Sequence, residues 1–288
     1  MTALTTAPAA HGGPGARGAR AARLRWTAAD GLTLIGRELS RIRQEPGELV
    51  AALIFPAVMV VLFGYVFGSA ISVPGGGDYR EYLMPGLFAM VTFTATMAVA
   101  MRVATDASRG VMDRFRSMPM ARSAVPFGQT GAEILNGLLG MTIMACAGLV
   151  VGWRARDGLL HAAEAFALLA LMRYALSWAG CYLGLVVKNE QTADQLLPLV
   201  FPVTMLSNSF VPTGGMPGPL QVIADWNPVS ALTAACRDLF GNPGAPAGDG
   251  AGLAWPVAHP VAATLGWAAL LLAIFVPLSV RTYRRRGR

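Results

Sequence analysis

Residues that could perform nucleotide, metal or nucleophilic chemistry are sparse in this 288-residue chain. A phosphate-binding loop of the form G-x-x-x-x-G-K-[ST] requires a lysine after a glycine, but the single lysine, Lys188, follows Val187. The three histidines, His11, His161 and His259, are far apart and belong to no metal or hydrolase motif. The sequence therefore predicts no catalytic residue, no metal site and no cofactor in this chain.

The cysteines do not change this prediction. Cys146 and Cys181 lie in apolar runs and Cys236 in a predicted loop, without the pair spacing of a metal or redox motif. We interpret all three as reduced packing residues, because free cysteine is usually buried.

A charged segment with apolar side chains between its charges is the strongest positive feature. It reads Asp113-Arg-Phe-Arg-Ser-Met-Pro-Met-Ala-Arg122 and is followed by Val125-Pro126. Exposed apolar side chains usually mark an interaction surface, and methionine adapts well to a partner. We predict a short helix that ends before Pro119 and docks on a cytosolic protein. The alternative is a membrane-surface loop whose arginine stems lie in lipid.

One further charge, Arg173, lies inside an apolar run. A charge near the middle of a bilayer costs about 2.5–3.5 kcal/mol on insertion scales, so Arg173 should face protein or a water-filled cavity. Two interpretations are open. Arg173 forms a structural pair with a group such as Glu133, Asn136 or Thr142, or it contacts the substrate.

The composition indicates that most of the chain is surrounded by lipid. Hydrophobic residues make up 54% and charged residues 14%, and the mean hydropathy is +0.50, whereas soluble domains are about a quarter charged. A helix needs about 20 apolar residues to cross the hydrocarbon core. We predict an all-α integral membrane protein with six transmembrane helices, at about 49–71, 82–104, 127–151, 163–187, 196–211 and 261–280.

The N-terminal 45 residues precede these spans. Residues 1–22 lack a signal peptide pattern and are predicted to be a disordered cytoplasmic tail. Residues 23–45 form an amphipathic pattern that is typical of a helix on the inner membrane surface. Its apolar face carries Leu32, Ile35, Leu39 and Ile42, and its basic face carries Arg37 and Arg41. Residues 46–288 make up the transmembrane domain, with the docking segment at 106–126.

The basic residues indicate orientation. Eighteen lie in the N-terminal segment, in the loops after the second and fourth spans and in the C-terminal tail, whereas the alternate loops hold four. An excess of basic residues marks the cytoplasmic side. Both termini are therefore predicted to be cytoplasmic, and the net charge of +7 needs no nucleic-acid partner.

Residues 212–260, between the fifth and sixth spans, contain two short apolar helical patterns. Leu220 to Trp226 form the first and Val229 to Phe240 the second, with Asn227 as N-cap and Pro228 at the first helical position. Each is too short to cross a bilayer. We predict a re-entrant hairpin at the outer face, with a simple extracellular cap as the alternative.

Small residues at a spacing of four occur in two spans, as Gly64-x-x-x-Gly68 and Gly180-x-x-x-Gly184. Such pairs allow two helices to approach closely. Packing within one subunit and dimerisation both fit this pattern.

These features together resemble the type-2 ABC exporter permeases, and among them the daunorubicin/doxorubicin resistance permeases of actinobacteria. The resemblance covers about Arg23 to the C-terminus. Besides the span layout, it rests on Arg114-Phe-Arg-Ser-Met-Pro-Met120, which is similar to the coupling-helix sequence of that group. It also rests on Asn189-Glu-Gln-Thr-Ala-Asp-Gln-Leu-Leu-Pro198, Asn208-Ser-Phe-Val-Pro212, Met216-Pro217 and Asn227-Pro-Val-Ser230.

The resemblance implies a permease homodimer in the bacterial plasma membrane, bound to two copies of a cytosolic ATPase that holds ATP and Mg. It implies ATPase-coupling residues at Asp113, Arg114, Phe115, Arg116, Ser117, Met118, Pro119 and Met120. A second ATPase-facing loop would contain Lys188, Asn189, Glu190, Gln191 and Asp194. The second and fifth spans would line the substrate path, with Phe93, Thr94, Met97, Val203, Met205, Leu206 and Asn208. These side chains also suit ordinary packing or contact with lipid.

The predicted function is therefore the permease subunit of an ABC exporter for a hydrophobic or amphiphilic, drug-like compound. A lipid or glycan exporter of the same architecture is an alternative. An ATPase-independent secondary transporter is another, but it needs ionisable residues at mid-membrane and only Arg173 qualifies. An intramembrane enzyme is disfavoured because no catalytic constellation exists.

Overall fold

The computed structural model describes residues 54, 58–59, 62, 73, 76–108, 124–187, 200–244 and 253–285. The regular secondary structure in these ranges is all helical, and no strand occurs in them. The α-helices are Tyr79–Ser108 (α1), Ala124–Val151 (α2), Gly158–Val186 (α3), Val200–Met205 (α4), Gly218–Asp225 (α5), Pro228–Phe240 (α6), Trp255–Ala258 (α7) and Pro260–Arg285 (α8), and a 3-10 turn covers Thr213–Gly215.

Within the described ranges, three helices are long and apolar enough to cross a membrane, namely α1, α3 and α8. They coincide with the predicted second, fourth and sixth spans. Helix α2, at the predicted third span, contains a shorter apolar stretch, Asn136–Val151. The total of six spans stays a prediction, because the tail 1–22, the amphipathic segment 23–45 and most of the first span lie outside the described residues.

Helix α1 is the most enclosed of the candidate spans. It packs along α3, which also packs against α8, and α2 contacts both α1 and α3. Gly180 and Gly184 of α3 face the backbone of α1 so closely that an added Cβ would overlap the carbonyl oxygens of Thr96 and Ala100. This glycine pair therefore packs two helices within one subunit, whereas Gly64 and Gly68 lie outside the described residues.

Aromatic rings fill the interior near the first turns of α1 and α3. Phe88 of α1 lies 5.4 Å from Trp153 and 5.6 Å from Phe166 of α3, measured between ring centroids. Phe240, at the end of α6, lies 5.0 Å from Trp153. Edge-to-face pairs of this kind stabilise a core beyond the area that they bury, so they fix α6 against the long helices.

The predicted fifth span, 196–211, is wrong at its C-terminal end, because α4 stops at Met205 and irregular backbone follows. Local side chains compete for the helical hydrogen bonds. Ser207 Oγ donates to Thr204 O, and Ser209 N donates to Ser207 Oγ at 3.2 Å. Asn227 Nδ2 then donates to the carbonyls of both Val203 and Leu206. Serine and asparagine commonly divert the backbone in this way.

The two short helices after this break are present. Asn227 caps α6, because its Oδ1 accepts a hydrogen bond from Val229 N at 2.9 Å, and Pro228 occupies the first turn. Both details confirm the prediction. Cys236 is buried within α6, in agreement with the predicted Val229 to Phe240 helix and not with a loop position, and Cys146 is exposed on α2. Helix α5 exposes apolar side chains, including Leu220, Val222, Ile223 and, just after its end, Trp226.

Candidate functional site

Charged side chains from three helices meet at Glu133 of α2. Arg173 of α3 donates a hydrogen bond from Nη2 to Glu133 Oε1 at 2.6 Å, and Arg102 of α1 places its Nη2 2.7 Å from Glu133 Oε2. The Glu133 side chain is 1% exposed, against 11% for Arg173 and 47% for Arg102. A carboxylate this deeply buried needs a charged partner. We call Arg102, Glu133 and Arg173 the Glu133 triad.

The two contacts of Glu133 differ in geometry. Arg173 makes a short charge-assisted hydrogen bond, a strong type of polar contact in proteins. Oε2 has no partner at a hydrogen-bonding angle, although Arg102 Nη2 lies within ion-pair distance. Arg173 is therefore the directional partner of the carboxylate, and Arg102 adds charge at close range without an aligned bond.

Space for the Arg173 guanidinium comes from Gly137, one turn after Glu133 on α2. A Cβ at Gly137 would overlap Nε and Cδ of Arg173. Arg173 Nη1 also donates to Val91 O of α1 at 3.2 Å. The structural pairing with Glu133 that was considered from the sequence is therefore present, and Arg173 links α3 to both α1 and α2.

A second arginine, Arg237 of α6, is 1% exposed and binds backbone carbonyls instead of a carboxylate. Its Nε donates to Tyr82 O at 3.0 Å, and its Nη2 donates to Asn208 O at 2.9 Å and Ser209 O at 3.1 Å. Its guanidinium carbon lies 3.6 Å from the centroid of the Tyr82 ring, a cation–π distance. Among the described residues, no carboxylate forms an ion pair with Arg237.

Two tyrosines of α1 complete this arrangement. Tyr79 Oη donates to Phe210 O at 2.7 Å, and Tyr82 Oη donates to Asn208 O at 2.9 Å. Irregular backbone at membrane depth is tolerated where protein satisfies its polar groups. The Arg237 cluster, defined as Arg237, Tyr79, Tyr82, Asn208 and Ser209, satisfies the polar groups of the irregular segment that follows α4.

An ion pair between an exposed arginine and a buried glutamate lies near the same end of α1. Arg156, in the turn between α2 and α3, donates from Nη2 to Glu81 Oε1 at 2.6 Å and from Nε to Oε2 at 3.1 Å. The hydrogen bonding and the negative charge of Glu81 raise the pKa of Arg156 above its ordinary value. This fork-shaped contact ties the turn to α1 and keeps Arg156 charged.

The predicted site residues fall into two groups. The ATPase-coupling residues 113–120 and the loop residues 188–191 and 194 lie outside the described residues. On the predicted substrate path, Thr94 and Val203 are exposed, Phe93 and Met97 are buried inside the subunit, and Met205, Leu206 and Asn208 are partly buried. Leu206 and Asn208 belong to the irregular segment after α4, and their carbonyls accept hydrogen bonds that stabilise the fold.

Sequence reasoning missed Arg237 and Arg102, because both were counted as basic residues of loops. For Arg237 a signal existed, since it lies on the buried side of the predicted Val229 to Phe240 helix beside Thr233 and Cys236. For Arg102 no local signal existed, because its contact with Glu133 joins residues 31 positions apart on different helices.

A sequence model of the ABC-2 type transporter family matches residues 31–240. The chain belongs to this family. The match takes in α1 to α6 and therefore both the Glu133 triad and the Arg237 cluster. With its apolar helices, this ABC-2 chain is a membrane protein.

Relatives of this ABC-2 chain include permeases of drug-resistance transporters. It is 28% identical over 257 residues to the daunorubicin resistance ABC transporter permease protein DrrB1 of Streptomyces coeruleorubidus, which covers 89% of this chain and 86% of that protein. It is 27% identical over 254 residues to the doxorubicin resistance ABC transporter permease protein DrrB of Mycobacterium tuberculosis, covering 83% and 84%. A putative transport permease, ycf38, of Porphyra purpurea is 23% identical over 216 residues, covering 73% of each.

Proposed function

We propose that this chain is the permease subunit of an ABC exporter that moves hydrophobic or amphiphilic, drug-like compounds out of the cell, energised by a separate ATPase. The observation that carries the proposal is the likeness to drug-resistance permeases along 89% of the chain, together with the family match. The absence of a Gly-Lys pair supports an external ATPase, because a phosphate-binding loop needs that lysine.

The position of the Glu133 triad suggests how an ATPase could act on the spans. The predicted coupling segment lies between the end of α1 at Ser108 and the start of α2 at Ala124. Arg102 precedes Ser108 by six residues and Glu133 follows Ala124 by nine, or about 9 and 14 Å of helix. Because Glu133 also holds Arg173, a displacement of the coupling segment would move α1, α2 and α3 together.

The Arg237 cluster would pass this movement to the other end of α1. Tyr79 and Tyr82 lie in the first turns of α1 and bind the carbonyls of Phe210 and Asn208. A shift of α1 would therefore reposition the irregular segment after α4 and the two short helices that follow it. In this proposal α5 and α6 are the re-entrant hairpin at the outer exit, and the exposed apolar face of α5 contacts lipid.

The coupling proposal is tested by two substitutions in the predicted docking segment, Arg116→Asp and Met118→Asp, made together. We expect normal insertion, loss of ATPase binding and loss of drug efflux, because the substitutions place negative charge on a predicted docking surface. The matched control is Arg154→Asp in the turn between α2 and α3. Unchanged efflux in the Arg116/Met118 variant would overturn the coupling assignment.

The cargo class is tested by comparing accumulation of fluorescent hydrophobic drugs with lipid and glycan export in cells that express the permease with its ATPase. ATP-dependent efflux of drugs supports the proposal. Export of lipid or glycan alone would assign the same architecture to a different cargo, and drug transport driven by an ion gradient without an ATPase would assign the chain to the secondary transporters.

A further inference from the structure

Arg102 has hydrogen-bonding capacity that the Glu133 triad does not use. A guanidinium carries five N–H donors, yet among the described residues the one charged contact of Arg102 is the unaligned approach to Glu133 Oε2. Glu133 already has a short hydrogen bond from the more deeply buried Arg173. The triad therefore holds two positive charges against one carboxylate, and the surplus charge lies on the member that is 47% exposed.

The other charge near Arg102 does not remove this surplus at contact distance. Asp106 lies one turn further along α1, toward the predicted coupling segment, and forms no ion pair with Arg102 among the described contacts. Asp106 lowers the local potential, but beyond Glu133 no acceptor for the Arg102 guanidinium is found among the described contacts. An anionic group arriving from outside the subunit could accept from them.

A partly exposed strip of α1 extends from Arg102 toward the middle of the helix. Thr94 is exposed, and Ala98 and Met101 are partly exposed, although most of α1 is buried. Residues at this spacing share one helix face. The strip starts at a positive charge and continues over small or apolar side chains for about 12 Å, at 1.5 Å per residue. Its polarity matches a molecule with an anionic head and an apolar tail.

We infer that Arg102 and the strip Thr94, Ala98 and Met101 form a binding site for the cargo, and that this cargo is an amphiphile with a phosphate or carboxylate head group. Arg102 binds the head group, and the strip contacts the chain. Charge-assisted hydrogen bonds from arginine to such oxyanions are short and strong. The inference deepens the proposed function, on which it rests for the identification of the bound amphiphile as cargo.

The experiment uses photo-crosslinking of the purified full-length permease in phosphatidylcholine nanodiscs. The probe is an alkyl phosphate with a diazirine in its chain, and the matched probe is an alkyl trimethylammonium with the same chain and diazirine. Peptides that carry label are identified by mass spectrometry. We expect the phosphate probe to label residues 94–101 about tenfold more than the ammonium probe, and to lose this advantage as salt is raised. Equal labelling by both probes would overturn the inference.

Variants separate the charge of Arg102 from the fold. Arg102→Gln should reduce phosphate-probe labelling about tenfold, whereas Arg102→Lys should retain most of it. Asp106→Asn should increase labelling by a few-fold because it removes a nearby negative charge. Arg80→Gln, on the same helix at its other end, is the control and should change nothing. If Arg102→Gln folds normally and labels as well as the unmodified protein, the site is excluded.

Membrane lipid is the competing occupant. Repeating the labelling in nanodiscs of mixed phosphatidylcholine and phosphatidylglycerol should leave the phosphate-probe signal in place, and its loss would assign the strip to bound membrane lipid and overturn the cargo role. Failure here is distinguishable from failure of the proposed function, because the labelling requires neither ATPase nor transport. ATPase-driven export without this labelling would refute only the site.

Discussion

Arg173 and Arg237 are both largely enclosed by protein, but the structure stabilises their charges in different ways. Arg173 is paired with a carboxylate from another helix, at 2.6 Å from Glu133. Arg237 donates hydrogen bonds to the carbonyl oxygens of Tyr82, Asn208 and Ser209, and its guanidinium lies over the face of the Tyr82 ring. The first arrangement joins helices that are already regular. The second stabilises backbone that has left the helix.

This difference predicts which arginine can be replaced. An ion pair can be removed as a unit, because replacing both members by apolar side chains leaves no unpaired charge. Backbone carbonyls cannot be removed by substitution. If Arg237 is lost, several of them stay buried with fewer donors, and each such group is costly. Arg237 should therefore tolerate no apolar replacement, whereas Arg173 should tolerate one when Glu133 is changed as well.

The largest effect is expected for Arg237→Leu. Loss of three charge-assisted bonds and the contact with Tyr82 should lower the stability by about 3–5 kcal/mol, and most of the protein should aggregate on extraction. The measurement is the monodisperse fraction in size-exclusion chromatography. Arg154→Leu is the control, because Arg154 is exposed and its side chain makes one hydrogen bond among the described residues, to Leu149 O at 3.2 Å. A normal yield of Arg237→Leu would mean that the conformation of the irregular segment after α4 does not depend on Arg237.

A smaller loss is expected for Glu133→Leu. It leaves Arg173 buried without its carboxylate, and removal of one member of a buried pair typically costs about 3 kcal/mol or more, less here if Arg173 moves toward the surface. The informative variant is the double replacement Glu133→Leu with Arg173→Met. Its thermal midpoint in detergent should recover most of the loss. A double variant as unstable as the single one would contradict the view of the pair as a removable unit.

Gly137→Ala should have an intermediate effect. The added methyl group would overlap the Arg173 side chain, and such overpacking usually costs about 1–3 kcal/mol. Gly140→Ala on the same helix is a matched control, because nothing lies within 4 Å of its added Cβ. That control should be neutral or slightly stabilising, since alanine favours helix over glycine. Equal midpoints for the two variants would show that Gly137 does not position Arg173.

The smallest effect is expected for Arg156→Gln, at the ion pair between the exposed Arg156 and the buried Glu81. Arg156 is 62% exposed, so solvent and salt screen its charge, and the glutamine amide can still donate a hydrogen bond to the buried carboxylate of Glu81. Because contact with Glu81 raises the pKa of Arg156, this residue stays protonated in both the folded and unfolded protein at ordinary pH. Its contribution should therefore not change between mildly acidic and mildly basic buffers. A thermal midpoint that shifted strongly with pH only when Arg156 is present would contradict this.

Much of the helical architecture could be read from the sequence, because apolar runs of span length and turn signals are local. The Asn227-Pro228 start of α6 is an example, since a cap and a proline at the first turn act within three residues. The glycine pair in α3 was also visible as a pattern. Its partner was not, because contact with α1 depends on how two distant segments pack.

The end of the fifth span could not be predicted from hydropathy. Phe210 and Val211 continue the apolar run, and the helix stops because Ser207, Asn227 and Arg237 capture its hydrogen-bonding groups. The Glu133 triad shows the same limit. Arg173 could be singled out as a charge in an apolar run and Glu133 considered as its partner, but the third member, Arg102, is brought to Glu133 only by the packing of α1 on α2.

We propose that this chain exports its cargo only together with a separate ATPase. The most direct measurement is uptake of a fluorescent hydrophobic amphiphile into inside-out vesicles that contain the permease and its ATPase partner, with ATP added outside. We expect uptake that requires ATP hydrolysis, persists when ion gradients are collapsed, and is absent when either protein is omitted. Uptake by the permease alone, driven by an ion gradient, would contradict it.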